Sequence, residues 1–503
     1  MPTRPNILLI TSDQQHFDTL GVTNPAIRTP ALDRLAREGV RFERAYCSNP
    51  VCTPSRASII TGLYPAWHGG WTIGVKTPED QPFVGDTLSQ AGYATALIGK
   101  AHFQPLRSRP GSESIESQPL MRDIDWWRKF HGPFYGFEHV EIARMHADES
   151  HAGQHYGIWM EEQGLANWRD YFDPWPEPQD KLRRRHAWDL PERFHYSVWT
   201  AERTIAAMER AAGEKRPFFL WSSFHDPHPP YLVPKPWDTM YDPAEVPFPR
   251  PTPGEFDAMA PHFRKTQEAD PDFSMYRETR GPHGFHSHLV DEPLMRKNIA
   301  VYYGMISLMD REIGRVLSAL DRLGIAESTL VLFTTDHGHF LGQHGLVAKG
   351  AFHYEDMVKI PMLARFPGRI PAGTVSRALQ SQVDFAPTFL AAAGLDVPGA
   401  MQGVDQLDVW QGGSDSARDH VVVENRHEPT KVHLRTYVDE RYKITVYRDA
   451  DYGELFDLVE DPGEVRNLWS DPASAALKSR LLLKFMQAEL QREPTRMPRV
   501  WGA

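Results

Sequence analysis

Short apolar runs alternate with amphipathic stretches along most of the chain. Continuous apolar runs with the length of buried strands occur at 6–11, 93–98, 217–223 and 329–335. The clearest helix is predicted over 293–323, where apolar residues recur at helical spacing and Gly324 follows. Because helical stretches separate the apolar runs, the pattern predicts an α/β fold with a mixed, largely parallel central sheet flanked by helices.

The pattern changes after about residue 415. Short strand-like runs at 421–423, 434–438 and 442–447 follow one another through tight connections, and 475–492 reads as an amphipathic helix. These features predict a small antiparallel sheet with a helix. We therefore expect a larger α/β domain over 1–415 and a C-terminal subdomain over 416–503.

Two long stretches of the first domain lack a clear period and are rich in aromatic residues. They span about 104–195 and 232–290, and we expect both to be irregular insertions. Such loops are typical of lids and substrate-binding walls, or of contacts between subunits, and both readings stay open. The tail Pro494–Ala503 with Trp501 is a candidate arm in a homo-oligomer.

Composition excludes some partners. The chain has 503 residues and a net charge of −11 without a basic stripe, which argues against nucleic acid and anionic membranes. No apolar run reaches the roughly 18 residues of a membrane span. The first apolar run is too short for a signal peptide, so we expect a cytoplasmic protein. Only Cys47 and Cys52 are present, which argues against a disulfide framework.

Polar residues follow the predicted strands. Asp13-Gln14 follow the first, Lys100 and His102 the second, His225 and His228 the third, and Asp336-His337 the fourth. Each such residue alone is more often a turn or surface residue, but the carboxyl ends of parallel strands form a common ligand crevice. The pairs Asp13-Gln14 and Asp336-His337 suit one divalent metal, favouring Ca²⁺ and also admitting Mn²⁺.

Cys52 lies in the stretch Pro50–Gly62. Pro54 and Arg56 follow it, and an apolar run then begins. Because proline is favoured in the first turn of a helix, we expect Cys52 just before a helix N-terminus, where unpaired N–H groups favour anions. A small buried cysteine beside an ordinary helix start is the alternative for this stretch taken alone.

The stretch Cys52–Gly62 resembles, position by position, the active-site signature of the sulfatases of the alkaline-phosphatase-like superfamily. The resemblance extends over nearly the whole chain. Its other parts are 6–14, 92–100, 332–338 with 342–345 and Lys349, and 454–464 with Asn467-Leu468. It implies an arylsulfatase-like hydrolase that cleaves a small-molecule sulfate monoester, with an aryl, small alkyl or sugar group.

The resemblance also implies the residue roles. Cys52 would be converted to formylglycine by a formylglycine-generating enzyme, and a hydroxyl of the aldehyde hydrate would attack sulfur. The implied metal ligands are Asp13, Gln14, Cys52, Asp336 and His337. The other implied catalytic residues are Arg56 and Lys100 on the nucleophile and sulfuryl group, His102 as base, and His228 as leaving-group acid with Lys349, with His225 as the alternative acid.

The sequence also departs from the commoner sulfatase pattern. Many sulfatases carry Asp-Asp at Asp13-Gln14 and Asp-Asn at Asp336-His337. The pattern here is similar to phosphonate monoester hydrolases and phosphodiesterases of the same superfamily, which are the alternative function. Ser55 and the pair Lys100 and His102 resemble sulfatases instead, because the phosphonate enzymes tend to carry Ala, Tyr and Thr there.

Overall fold

The first strand, β1 (Asn6–Ser12), is buried on both faces. Ile7 and Leu9 belong to one hydrophobic core, whereas Leu8 and Ile10 belong to another. Successive side chains of a strand point to opposite faces, so the sheet around β1 separates two cores, as in α/β proteins with helices on both sides. The computed structural model describes residues 4–144, 152–172, 187–276, 283–426 and 431–493.

The described residues form the following elements. The strands are β1 (Asn6–Ser12), β2 (Val40–Tyr46), β3 (Ala94–Gly99), β4 (His139–Ile142), β5 (Ala187–Trp188), β6 (Phe218–Ser223), β7 (Val233–Pro234), β8 (Thr329–Thr335), β9 (Phe340–Leu341), β10 (Val347–Ala348), β11 (Lys359–Arg365), β12 (Thr374–Ser376), β13 (Gln380–Ser381), β14 (His420–Asn425), β15 (Leu434–Asp439), β16 (Tyr442–Tyr447) and β17 (Gly453–Asp457). The α-helices are α1 (Pro30–Glu38), α2 (Cys52–Thr61), α3 (Pro65–His68), α4 (Val84–Gln90), α5 (Ile124–Trp127), α6 (Gln154–Glu162), α7 (Tyr196–Gly213), α8 (Pro261–Lys265), α9 (Glu292–Arg322), α10 (Glu355–Val358), α11 (Phe385–Ala392), α12 (Leu407–Trp410) and α13 (Ala475–Gln491).

The central sheet has the strand order β12-β2-β11-β8-β1-β6-β3-β4, with β13 also paired to β2. Strand β11 runs antiparallel to β2 and β8, and the other pairings are parallel. The predicted mixed, largely parallel sheet is confirmed. Because β8, β1, β6 and β3 are neighbours and parallel, their carboxyl ends lie side by side at one edge.

The prediction of an irregular insertion over 104–195 is wrong in part. Strand β4 extends the central sheet by pairing with β3, and α6 packs beside it. The aromatic residues form cores here, since Trp127 is 0% and Trp168 is 1% exposed. A strand of four residues is too short to show a period in the sequence. Trp175, another aromatic residue of this stretch, lies outside the described residues.

The C-terminal part forms the four-stranded antiparallel sheet β14-β15-β16-β17. Helix α13 packs on it through Leu481 and Phe485. The predicted antiparallel sheet with a helix is confirmed, and β17 is a strand beyond the three predicted runs. The tail Pro494–Ala503 lies outside the described residues. Within the described ranges, every helix is too short or too polar to span a bilayer.

Candidate active site

The polar residues predicted at strand ends meet at one edge of the central sheet. Asp13 follows β1 and Asp336 follows β8, and these strands are paired in parallel, with Ser12 opposite Thr335. Lys100 follows β3, and its N–H donates to the carbonyl of Ser223 at the end of β6 at 2.9 Å. The pairing of neighbouring parallel strands thus places groups from distant parts of the chain in one pocket.

Cys52 is the first residue of α2, and Val51 is the extended N-cap residue with φ −140° and ψ 141°. The prediction placed Cys52 just before the helix, and the structure begins the helix at Cys52 with Pro54 as its third residue. Because N–H groups of the first turn have no intrahelical acceptor, Pro54 removes no helical hydrogen bond there. Cys52 is completely buried.

Two ammonium groups and two candidate metal ligands surround the Cys52 sulfur. Lys349 Nζ lies 3.3 Å and Lys100 Nζ 3.8 Å from Sγ. His337 Nε2 lies 3.3 Å and Asp13 Oδ1 3.7 Å from the same atom. An anion formed at residue 52, or bound to it, would therefore face positive charge.

Four residues offer donor atoms that lie within 4.8 Å of one another: Asp13, Cys52, Asp336 and His337. Gln14 adds a fifth candidate, because its Oε1 is buried and has no hydrogen-bond partner within the described part of the chain. His337 Nδ1 lies 2.9 Å from the carbonyl of Gly338, so Nδ1–H donates there and Nε2 keeps its lone pair. Carboxylates, an amide oxygen and a neutral imidazole fit a divalent cation.

The two carboxyl groups of this set differ in their pKa values. Burial and the nearby Asp336 carboxylate raise the pKa of Asp13 to about 7. Burial opposes ionisation of Asp336 too, but His337, Arg56 and Lys100 hold its pKa well below its ordinary value. Burial lowers the pKa of His337 to about 4, which keeps its imidazole neutral. A bound cation would favour ionisation of both carboxyl groups.

Arg56 lies one turn along α2 and is completely buried. Its Nε donates to Asp336 Oδ2 at 3.0 Å, and its Nη1 donates to Ser223 Oγ at 2.8 Å and to the carbonyl of Lys100 at 3.0 Å. It therefore links α2 to the ends of three strands. Since its charge lies between the carboxylates, Arg56 holds the ligand groups in place as well as adding positive charge.

Gln382 fixes the turn that carries Cys52, and sequence reasoning missed it. Ser55 Oγ donates to Gln382 Oε1 at 2.8 Å and Ser48 N donates to the same oxygen at 3.0 Å. Gln382 Nε2 donates to the carbonyl of Asp336 at 2.7 Å. One buried amide thus joins both sides of Cys52 to the end of β8. No local sequence signal marks a partner 327 positions from Ser55.

His228 and His225 have different surroundings. His228 Nε2 lies 3.3 Å from Lys349 Nζ, which itself contacts Cys52 Sγ. His225 is buried with Nε2 2.8 Å from the carbonyl of Ala143, and burial lowers its pKa to about 3. His228 is partly exposed, whereas His225 is not. The contacts therefore favour His228 over His225 beside Cys52.

His102 is held by residues of the long insertion. Its backbone has a left-handed φ of 62°, and its N–H donates to Glu116 Oε1 at 3.0 Å. Arg144 Nη1 bonds Glu116 Oε2 at 2.8 Å. Burial, with the charges of Arg144 and Lys100, keeps the pKa of His102 well below its ordinary value. A neutral imidazole can accept a proton, and sequence reasoning missed both Glu116 and Arg144.

The chain is similar to known proteins over most of its length. Residues 5–395 match the sulfatase family profile, and residues 342–491 match the profile described as N-sulphoglucosamine sulphohydrolase, C-terminal. An arylsulfatase of Clostridium perfringens (strain 13 / Type A) is 29% identical over 472 residues, which cover 92% of this chain and 90% of that protein. The multifunctional alkaline phosphatase superfamily protein PehA of Trinickia caryophylli is 29% identical over 508 residues, which cover 94% and 93%.

Solved structures show the same relationship. The phosphonate monoester hydrolase SpPMH from Silicibacter pomeroyi superposes with a TM-score of 0.78 at 25% identity, covering 98% of this chain and 96% of that one. The family profile spans most of the chain and includes every candidate site residue named above. The chain therefore belongs to the sulfatase family of hydrolases, within the alkaline phosphatase superfamily.

Proposed function

We propose that this hydrolase cleaves sulfate monoesters with an aryl, small alkyl or sugar group. The observation that carries the proposal is the surroundings of Cys52: the residue at the signature position is buried, and Lys100 and Lys349 approach its sulfur from 3.8 and 3.3 Å. A sulfate monoester is a single anion, and these two cations with Arg56 would bind its sulfuryl oxygens. The similarity to an arylsulfatase supports the same substrate class.

We infer that a formylglycine-generating enzyme converts Cys52 to formylglycine, whose hydrate supplies the attacking oxygen. A thiol cannot serve the complete cycle, because release of sulfate needs a second hydroxyl on the same carbon. The neutral imidazole of His102 would accept the proton of that hydroxyl. Lys100 would hold the sulfuryl group from the β3 side of the pocket.

Asp13, Gln14, Asp336 and His337, together with residue 52, would hold one divalent cation, Ca²⁺ by preference and Mn²⁺ as the alternative. When bound, the cation would polarise a sulfuryl oxygen and favour the ionised form of the nucleophile. The support is the donor set itself, with a neutral His337 Nε2 and the unpartnered Oε1 of Gln14.

Departure of the alcohol requires a proton. His228 stands 3.3 Å from Lys349 Nζ at the exposed side of the pocket, where the organic part of the ester would leave. We infer that His228 donates this proton and that Lys349 keeps the leaving oxygen close to it. Aryl esters with acidic alcohols need this help less than alkyl esters.

Phosphonate monoester or phosphodiester hydrolysis is the second candidate. Its support is the similarity to PehA and the superposition with SpPMH, together with Gln14 and His337 in the candidate metal site. Both ester classes are single anions, so the charge of the pocket accommodates either one. The sulfatase-like pair of Lys100 and His102 supports the first candidate.

A panel of matched esters tests this choice. The enzyme is co-produced with a formylglycine-generating enzyme, and kcat/KM is measured for 4-nitrophenyl sulfate, choline sulfate, sugar sulfates, 4-nitrophenyl phenylphosphonate and bis(4-nitrophenyl) phosphate. We expect the highest kcat/KM with a sulfate ester. A preference for the phosphonate by orders of magnitude would overturn sulfate hydrolysis in favour of the second candidate.

A further inference from the structure

The two ends of the Gln14 side-chain amide have different surroundings. Its Nε2 lies 2.7 Å from His339 Nδ1, while its Oε1 is buried and finds no partner among the residues that the structure describes. The backbone of Gln14 is fixed in a left-handed conformation with φ 62°. Its N–H donates to Asp336 Oδ1 at 2.9 Å, and its carbonyl accepts from Tyr302 OH at 2.9 Å. Only the direction of the amide is left for other residues to determine.

His339 is itself held on two sides. Its Nε2 lies 2.7 Å from Tyr231 OH, and its ring stacks on Tyr302 with centroids 5.0 Å apart and planes at 11°. His339 is 0%, Tyr231 2% and Tyr302 0% exposed. A buried ring with a partner at each nitrogen and an aromatic face against it has one orientation.

The direction of the hydrogen bonds from Tyr231 through His339 to Gln14 depends on the tautomer of His339. A neutral imidazole has one donor nitrogen and one acceptor nitrogen. When Tyr231 accepts from Nε2–H, His339 Nδ1 is an acceptor, so it takes the N–H of the Gln14 amide. The amide oxygen, which has no hydrogen-bond partner among the described residues, is then the atom of this amide left for a cation. The opposite order would aim an N–H₂ group at the cation that the carboxylates hold.

We propose that His339, supported by Tyr231, is a positioning residue that turns the Gln14 amide so that its oxygen, and not its nitrogen, faces the divalent cation. The His339 ring contacts the Gln14 amide nitrogen, Tyr231 and Tyr302. It acts through Gln14 alone. The inference rests on the metal site of the proposed function, but it makes no use of the substrate.

The test measures metal affinity without turnover. Ca²⁺ and Mn²⁺ are titrated by calorimetry into metal-stripped protein that carries unmodified Cys52, for wild type and for His339→Phe, which keeps a ring on Tyr302. We expect His339→Phe to weaken binding of the cation by about 10–100-fold, the usual effect of removing a partner of a metal ligand. Unchanged affinity would overturn the proposal.

A double variant separates orientation from general damage. In Gln14→Glu the side chain presents an oxygen whichever way it turns, so adding His339→Phe should change the affinity less than about threefold. If His339→Phe costs the same affinity in the wild-type background and in the Gln14→Glu background, His339 only supports the fold, and the proposal is overturned.

Tyr231→Phe removes one hydroxyl and serves if His339→Phe fails to fold. We expect weaker metal binding with an unchanged thermal midpoint in the absence of metal. Tyr93→Phe is the matched control, because its buried hydroxyl donates to the carbonyl of Pro5 at 2.9 Å, away from the site. If Tyr231→Phe binds the cation as tightly as this control, the proposal is wrong. If wild type binds neither Ca²⁺ nor Mn²⁺, both the proposed metal site and the role of His339 are wrong. If wild type and the variants bind a cation equally well, only the role of His339 is wrong.

Discussion

The protein contains two clusters of charged side chains that differ in the ratio of cations to carboxyl groups. The site cluster surrounds Cys52 and consists of Arg56, Lys100, Lys349, Asp13 and Asp336. The junction cluster lies between the central sheet and the C-terminal sheet and consists of Lys443, Glu355, Glu454 and Glu464. Cations exceed carboxyl groups in the first, whereas the single Lys443 serves three carboxyl groups in the second.

The junction cluster is closed on itself. Lys443 pairs with Glu464 and lies 3.5 Å from Glu355, whose other oxygen accepts from Tyr46 OH at 2.9 Å. Lys443 is 0% and Glu464 1% exposed, and burial raises the pKa of Glu464 to about 7. Lys443 thus forms ion pairs with two carboxylates of its own cluster. Because Glu355 belongs to α10 and Lys443 to β16, the junction cluster ties α10 to the C-terminal sheet.

The comparison shows that burial of charge does not identify an active site. What distinguishes the site cluster is its excess of positive charge and the set of candidate metal ligands, including Cys52, whose donor atoms lie within 4.8 Å of one another. A sulfate anion and a cation would complete it. Variants should therefore separate the clusters: changes around Cys52 should affect turnover, and changes around Lys443 should affect stability.

The largest effect is expected for Cys52→Ala. Without the nucleophile, kcat should fall by at least about 10⁴-fold, since loss of a nucleophile costs about 10⁶-fold in well-studied hydrolases. The thermal midpoint should stay close to that of wild type, because Ala fills most of the volume of Cys. Steady-state kinetics and thermal unfolding check both parts. Retained turnover would contradict the role of Cys52.

His228→Asn comes next. It should lower kcat/KM for an alkyl sulfate by about 10²–10⁴-fold, the usual contribution of a general acid, and much less for 4-nitrophenyl sulfate, whose acidic leaving group depends less on protonation. His225→Asn is the matched control and should affect both esters alike. An equal loss on both esters for His228→Asn would remove it from the role of acid.

Lys443→Met should act on stability alone. Removing the one cation from the junction cluster leaves carboxyl groups buried and should lower the free energy of unfolding by about 3–5 kcal/mol. Lys484→Met, on the exposed side of α13, should cost less than about 1 kcal/mol. Chemical denaturation measures both, and kcat/KM per folded molecule should not change. A loss of turnover without a loss of stability would contradict the separation.

The smallest effect concerns pH. Burial raises the pKa of Glu454 from an ordinary 4.5 to about 7. Its contribution to stability is therefore complete below about pH 4.5 and is lost as the pH rises to about 7. At pH 8, Glu454→Gln should be more stable than wild type by at most about 3 kcal/mol, and the difference should vanish near pH 4.5. Urea denaturation at the two pH values measures it, and a variant less stable than wild type at pH 8 would refute the assignment.

The hydrophobic pattern of the sequence predicts much of the fold and the edge of the sheet at which the site lies. The apolar runs that became β1, β3, β6 and β8 are continuous, and the polar residues after them predicted the edge where the site lies. Strand β11 escaped prediction because Pro361 interrupts it. The structure accommodates this proline in a central strand at a register shift between Ile360 and Met362, where a missing N–H is tolerated.

The residues that hold the site together could not be predicted in this way. Three such residues are Gln382, Glu116 and His339, which bond to Ser55, His102 and Gln14. None of the three belongs to a recognisable motif. Each is a buried polar side chain, and the sequence does not show which polar side chains are buried. The sequence motifs contain the residues that are proposed to contact the substrate or the metal. The contacts behind those groups depend on tertiary packing, so they appear only in the structure.

The central claim is that residue 52, as formylglycine, is the nucleophile. The most direct test prepares the enzyme at several levels of a co-produced formylglycine-generating enzyme. Mass spectrometry of the peptide that contains residue 52 gives the aldehyde fraction, and the rate of 4-nitrophenyl sulfate hydrolysis is measured on the same samples. We predict that the rate is proportional to the aldehyde fraction, so that a plot of rate against this fraction is a straight line through the origin. Full turnover in a sample that contains only the Cys52 thiol would contradict the claim.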